Sequence, residues 1–268
     1  MTLKTAAIQM VSSSRVDDNL TRADALLAEA ARRGAQLAVL PEYFCLMGHG
    51  DADKVAVREA PGSGPIQQFA ADAARRHGLW LAAGSLPLAC PDPQRVYNTT
   101  LVFDPQGTLR ARYDKRHLFA FTRGAERYAE ADSIAPGEAP VAFDAGGLRI
   151  GLSICYDLRF PEHFRALSTP APCDAFLVPA AFTYTTGEKH WELLLRARAV
   201  ENLAYVVASA QGGRHDNGRR TWGHSMIVDP WGEVLAMQSS GEGVVCAELD
   251  PQHIAEHRAS LPALAHRR

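Results

Sequence analysis

Ala35-Gln36-Leu37-Ala38-Val39-Leu40-Pro41-Glu42 runs through four apolar side chains in a row, Leu37 to Leu40, and then meets a proline and a carboxylate. Side chains of a strand alternate between its two faces, so an apolar run without alternation reads as a strand buried on both. A sheet of such strands needs cover on both sides. Similar short runs recur along the chain. Thr5–Met10, Ala35–Leu40, Trp80–Leu86, Asn98–Asp104, Arg149–Cys155, Ala175–Pro179, Tyr205–Ala210 and Ser225–Asp229 all read as strands.

Helical spacing fills the intervals. Asp17–Arg33 places Leu20, Ala23, Leu26, Leu27, Ala30 and Ala31 on one face, with Gly34 as a stop. Pro65–His77 repeats the pattern before Gly78, and Glu188–Glu201 carries Trp191, Leu194, Leu195 and Ala199 on one stripe. Strands alternating with helices predict an α/β fold. Asp104-Pro105-Gln106-Gly107 and Asp229-Pro230-Trp231-Gly232 carry the same turn residues, and each reads as a hairpin tip. Their recurrence hints at two similar halves. With no linker or low-complexity stretch, residues 1–268 read as a single domain. In the tail from about 250 to 268, Gln252–Arg258 reads as helical. Leu261–Arg268 reads as an extended arm that needs another surface, such as a second subunit.

Composition narrows the class of function. The 268 residues are 47% hydrophobic and 22% charged, as in ordinary globular proteins, and long enough for a sizeable core. A formal charge of -2 argues against nucleic acid or an anionic membrane as the main partner. Cys45, Cys90, Cys155, Cys173 and Cys246 form no CxxC pair, which favours free thiols in a reducing compartment over a disulfide framework or zinc ribbon. The apolar segment after Thr5 is too short for a signal-peptide core or a membrane span. A cytoplasmic protein is the expectation.

Three segments carry chemistry. Leu40-Pro41-Glu42-Tyr43 sets a carboxylate at a strand end, where clefts form and a general base is well placed. The competing reading is an acid that marks the strand's end. Tyr113-Asp114-Lys115-Arg116-His117-Leu118-Phe119 follows the first hairpin, and its lysine also reads as a solvated charge. In Ile150-Gly151-Leu152-Ser153-Ile154-Cys155-Tyr156-Asp157-Leu158-Arg159-Phe160-Pro161-Glu162, a strand ends at Cys155 and Pro161 suits the first turn of a helix. Such a turn lifts a side chain above the sheet and aims free backbone N–H groups at it. A thiol there can be held as thiolate by a nearby cation, or it can be a buried structural cysteine.

Leu-Pro-Glu, then Lys in Tyr-x-Lys-x-His-Leu-Phe, then Cys-Tyr-Asp-x-Arg-Phe-Pro-Glu, in this order, resemble the nitrilase or carbon–nitrogen hydrolase superfamily. His190–Asn202, Gly223–Gly232 and the closing Leu261-Pro262 with His266-Arg267-Arg268 extend the likeness over nearly the whole chain, closest to the Nit branch. The resemblance implies a four-layer αββα sandwich, two stacked mixed sheets flanked by helices, and pairing into a homodimer or higher homo-oligomer. It implies a Glu–Lys–Cys triad at Glu42, Lys115 and Cys155, with no metal or cofactor. A second glutamate matches Glu130 best, with Glu126 as runner-up. Lys115 and the Tyr156 backbone N–H would form the oxyanion hole.

The implied reaction is amide hydrolysis through a cysteine thioester. The implied substrate of the Nit branch is deaminated glutathione, a 2-oxoglutarate unit amide-linked to cysteinylglycine. The alternatives are an ω-amidase on 2-oxoglutaramate, an N-carbamoyl amide hydrolase, or a non-catalytic binding module of the same fold. Arg123, Arg127 and Arg159 are candidates for a substrate carboxylate, with a plain structural ion pair favoured for Arg159. Phe182 and Thr183 are candidates to line the pocket. A metal hydrolase built on the ten histidines finds no ligand spacing around His215 or His224.

Overall fold

A computed structural model describes residues 2–124 and 126–267. Its first part runs β1 (Leu3–Gln9), α1 (Val16–Arg32), β2 (Leu37–Val39), α2 (Asp51–Ala56), α3 (Pro65–His77), β3 (Trp80–Ala82), β4 (Leu86–Ala89), β5 (Val96–Phe103) and β6 (Leu109–Asp114). A small hairpin follows, β7 (Ala120–Arg123) and β8 (Glu126–Ala129). Then come β9 (Ala142–Ala145), β10 (Leu148–Leu152), α4 (Pro161–Leu167), β11 (Ala175–Ala180), α5 (Tyr184–Asn202), β12 (Tyr205–Ala210), β13 (Ser225–Val228), β14 (Val234–Gln238), β15 (Gly243–Leu249) and α6 (Pro251–Ser260).

Two mixed sheets result. One has the order β15-β1-β2-β3-β5-β4 with β6 paired to β5, and the other β14-β13-β12-β11-β10-β9. The apolar runs explain the layers. In β1, Leu3 and Ala7 face the second sheet, whereas Ala6 and Ile8 pack against Ala23, Leu27 and Ala30 of α1 and Ala70 and Ala73 of α3. In β2, Leu37 and Val39 face inward, and Ala38 packs on the helix side. Helices α4 and α5 cover the far face of the second sheet through Phe164, Trp191, Leu195 and Ala199. The four-layer αββα order expected from the sequence is therefore the observed one. Ser209 on β12 ties the sheets together, accepting from Ile8 N and donating to Val39 O. Among the described residues no helix is long and apolar enough to cross a membrane.

The two Asp-Pro-x-Gly turns are near copies, one in each sheet. Asp104 Oδ1 accepts from Gln106 N and Thr108 N, and Asp229 Oδ1 from Trp231 N and Glu233 N. Gly107 and Gly232 have φ of 75° and 89°, and a register shift follows in both ladders.

Two expectations are corrected. Residues 261–267 do not extend as an arm. They fold into hydrogen-bonded turns, with Ala265 N on Pro262 O and His266 N on Ala263 O, after α6 has run on to Ser260; Arg268 lies outside the described residues. Trp80–Leu86 is not one strand, because the chain breaks at Gly84, whose φ is +45°. A Cβ there would meet Pro41 O at 2.0 Å and Leu40 O at 2.8 Å. This close approach seats the Leu40–Pro41 backbone immediately before Glu42. Gly84→Ala combines a left-handed backbone with a backbone clash, so it destabilises by about 2–3 kcal/mol or more. A thermal melt should fall by about 4–10 °C, and a midpoint within 1 °C of the parent would disprove the close-approach argument.

Candidate active site

The carboxyl ends of β2, β10 and β11 meet where the two sheets face each other, the position at which open α/β sheets leave a crevice. Glu42 follows β2, Lys115 follows β6, and Cys155 opens a short 3-10 turn, Cys155–Arg159, just beyond β10. Cys155 has φ +48°, a left-handed backbone that is uncommon for a residue with a side chain and is held here by its surroundings. Asp157 holds it. Its Oδ2 accepts from Ile154 N at 2.8 Å and the Tyr113 hydroxyl at 2.7 Å, and its Oδ1 lies 2.7 Å from His117 Nδ1. The lysine loop and the cysteine turn are thus joined through one buried carboxylate. Burial alone would raise the Asp157 pKa, but the His117 hydrogen bond, the His163 ring and the Tyr113 hydroxyl outweigh it and hold it below the usual value.

Lys115 is fully buried between two carboxylates. Its Nζ lies 2.9 Å from Glu42 Oε1, and 3.0 and 2.8 Å from the two oxygens of Glu130. Burial would depress the ammonium, yet Glu130 and then Glu42 overcome it and keep Lys115 charged well above neutral pH. Glu42 is completed by Asn98 Nδ2 at 2.9 Å and the Ala181 N–H at 2.9 Å. Glu130 is completed by the Phe119 N–H at 2.7 Å and the Tyr43 hydroxyl at 3.1 Å. Burial, followed by Glu130 and Glu42, pushes the Tyr43 phenol up, so it stays a donor.

Cys155 is buried and electrostatically coupled to Glu42, Lys115 and Glu130. Burial pushes the thiol well above its ordinary value, Glu42 adds to this, and Lys115 opposes it. The resting group is a thiol. A small pocket opens on the sulfur, lined by Phe119, Tyr156, Arg159, Phe182, Thr183 and Thr186 beside Ala181.

The structure thus brings Glu42, Lys115, Cys155 and Glu130 together, with Tyr156, Phe182 and Thr183 at the pocket. Glu126 is elsewhere, near the tip of the β7–β8 hairpin, where it accepts from Thr185 Oγ1 at 3.1 Å. Arg123 and Arg127 do not line the pocket: both are exposed on the same small hairpin, which carries them outward. Arg159 departs from the structural ion pair expected of it. Its guanidinium lies over the rings of Phe182 (5.2 Å) and Tyr156 (5.8 Å) and 3.1 Å from His190 Nδ1, with no carboxylate partner among the described residues.

Sequence reasoning missed Asn98, Tyr43 and the Ala181 and Phe119 N–H groups. Asn98 left a signal, an amide inside the buried strand Val96–Phe103. Tyr43 left only its place after Glu42, and a backbone N–H leaves none.

The carbon–nitrogen hydrolase family profile matches residues 4–259. A deaminated glutathione amidase of Yersinia enterocolitica is 38% identical over 98% of this chain and 92% of its own length. An omega-amidase of Xenopus laevis is 38% identical over 99% of this chain and 95% of its own. Among solved structures, the Caenorhabditis elegans NitFhit protein superposes with a TM-score of 0.89 at 35% identity, over 100% of this chain and 65% of that longer one.

Proposed function

From the premise that the chain belongs to the carbon–nitrogen hydrolase family and is an amidase of the nitrilase superfamily, we propose that Cys155 is its nucleophile, Glu42 its proton shuttle and Lys115 its oxyanion cation. The observation that carries this is the position of Lys115, locked at 2.8–3.0 Å between Glu42 and Glu130 beside the Cys155 sulfur.

Amide resonance makes the carbonyl a poor electrophile, so the site must supply a strong nucleophile and hold the developing oxyanion. A thiolate formed by losing its proton to solvent would add charge to a pocket that already holds two carboxylates against one ammonium. Passing the proton from Cys155 to Glu42 leaves the total unchanged. The thiolate attacks the carbonyl carbon as Glu42 becomes neutral. Lys115 and the Tyr156 N–H hold the oxyanion, each such donor being worth about 3–4 kcal/mol in the transition state. Glu42 returns the proton to the departing nitrogen as the C–N bond breaks, leaving a thioester on Cys155. Water, deprotonated by Glu42, then attacks the thioester carbonyl; the C–S bond breaks to release the acid, and the proton on Glu42 returns to the Cys155 sulfur. Glu130 orients Lys115 throughout.

The substrate in this reading is a small linear amide with an anionic acyl group, most concretely the 2-oxoglutarate unit of deaminated glutathione. Arg159 supports it, because its guanidinium at the pocket has no carboxylate partner among the described residues. Arg159→Met should raise KM for such an acyl group about 10–100-fold, with a smaller change in kcat and little effect on uncharged butanamide. Equal losses on both would refute the assignment. Steady-state turnover of deaminated glutathione, 2-oxoglutaramate and an N-carbamoyl amino acid tests the whole reading; cleavage of the last alone would overturn the acyl group. A homodimer or larger homo-oligomer belongs to the same proposal, since Leu193 and Trp231 stand 68% and 50% exposed on one face of α5 and its neighbouring hairpin. Light scattering at a monomer mass would remove it.

A further inference from the structure

Arg159 does not separate two candidate substrates. Deaminated glutathione and 2-oxoglutaramate share one acyl unit and differ in the amine, which is a dipeptide with its own carboxylate in the first and ammonia in the second. A second pocket, of about 160 Å³, shares no lining residue with the first but meets it through one aromatic contact, Tyr128 against Phe119. It is lined by Tyr43, Tyr128, His49, Lys54 and Arg219 with the backbone near Met47 and Gly48.

Three observations connect it to the reaction. Tyr43 lines it and donates its hydroxyl to Glu130 Oε1 at 3.1 Å, on the carboxylate that holds Lys115. Tyr128 lines it with its ring 5.5 Å from Phe119, which lines the Cys155 pocket. The residue before Tyr43 is Glu42, the group that must face the departing nitrogen. On the proposed mechanism, these contacts assign the second pocket to the amine side of the scissile bond, and Arg159 with Phe182 to the acyl side.

Its lining carries Arg219 and Lys54. Arg219 lies over the Tyr128 ring at 5.4 Å, and Lys54 over the Tyr43 ring at 5.3 Å. Among the described residues no carboxylate pairs with Arg219. Of the described acids near Arg219 and His49, Asp53 accepts the His49 and Gly50 N–H groups, and Asp216 binds Ser14. The pocket is also built rather than incidental. Asn217 Nδ2 donates to the carbonyls of Met47 and Gly48, so the loop bearing Arg219 is tied to the loop opposite.

Resting on the proposed amidase reading, we infer that this pocket is an anion subsite for the leaving amine, with Arg219 as its specificity residue. It takes the terminal carboxylate of a short peptide amine. An extended dipeptide reaches about 7 Å from the scissile nitrogen; between Lys115 and the pocket stand the Glu130 carboxylate, 2.8 Å from Lys115, and the Tyr43 hydroxyl, 3.1 Å from Glu130. A carboxylate there meets a guanidinium fork over an aromatic face.

The measurement is the ratio of kcat/KM for deaminated glutathione to that for 2-oxoglutaramate, in the parent and in Arg219→Ala. The ratio should fall about 10–100-fold, with the second substrate reporting that the variant is folded. An unchanged ratio overturns the subsite. A second arm needs no variant: the parent acting on deaminated glutathione with its terminal carboxylate converted to an amide should show a KM about tenfold or more higher, and an equal KM overturns the inference. If the parent cleaves 2-oxoglutaramate but not deaminated glutathione, the subsite is wrong and the acyl assignment stands. If it cleaves neither, the acyl assignment has failed and the subsite falls with it.

Discussion

Cys155→Ala should lower amide turnover by about 10⁵-fold or more, the scale on which loss of a nucleophile acts, while substrate binding persists. The reason is chemical. Among the residues gathered around Lys115, only the sulfur can attack a carbonyl carbon and then leave from a thioester. Glu42 and Glu130 are both committed to Lys115 and to backbone N–H donors. Mass spectrometry of the parent under turnover should show the acyl group on the tryptic peptide holding Cys155, and on no other cysteine. Cys45 and Cys173 are buried, with thiols pushed up by burial to about 12 and about 11 respectively. Alkylation of Cys155 by iodoacetamide should also still be accelerating at pH 9, because the resting group is a thiol held above its ordinary value. A reaction that has already levelled off at pH 7 would mean a resting thiolate, and the proton transfer to Glu42 would then be wrong. Near-parental turnover by Cys155→Ala would end the mechanism altogether.

What could be read from the chain follows what a residue's identity encodes. Central strands such as Tyr205–Ala210 were legible because burial on both faces demands continuous apolar side chains. The edge strands Leu109–Asp114, Val234–Gln238 and Gly243–Leu249 were not, since one face of each meets solvent and their polar residues blur the pattern. Trp80–Leu86 read as one strand because its apolar run spans a glycine whose purpose, room for the Pro41 carbonyl, exists only in three dimensions. At the site, Glu42, Lys115 and Cys155 were recognisable from motif order, but each motif alone had a bland explanation. Their supports were hidden for a physical reason. Besides Lys115, two of the four donors that fix the two glutamates are backbone N–H groups, at Phe119 and Ala181, which almost any residue would supply. The structural ion pair favoured for Arg159 finds no carboxylate among the described residues; Asp157, two residues away, is taken by Tyr113, His117 and Ile154.

Lys115→Met should cost both stability and activity, and the two losses should be separable. The side chain is fully buried, and its removal leaves Glu42 and Glu130 facing each other without the cation that reconciles them. Breaking a buried ion pair by deleting one partner costs about 3–5 kcal/mol, which for a chain of this size lowers the melting midpoint by about 6–20 °C. Like charges favour uptake of a proton by one carboxylate, so the deficit relative to the parent should shrink as the pH falls from 8 to 5 and widen as it rises. Glu130→Gln added to Lys115→Met removes that repulsion and should recover a good part of the midpoint. It cannot recover turnover, because a neutral amide and a methionine offer no charge to a developing oxyanion. Activity should remain about 10³-fold or more below the parent in both variants. Melting curves at pH 5 and pH 8 and single-turnover acylation rates check the two halves independently. Recovery of the acylation rate along with the midpoint would show that Lys115 serves only to hold the carboxylates in place, and the oxyanion role would then pass to backbone donors alone.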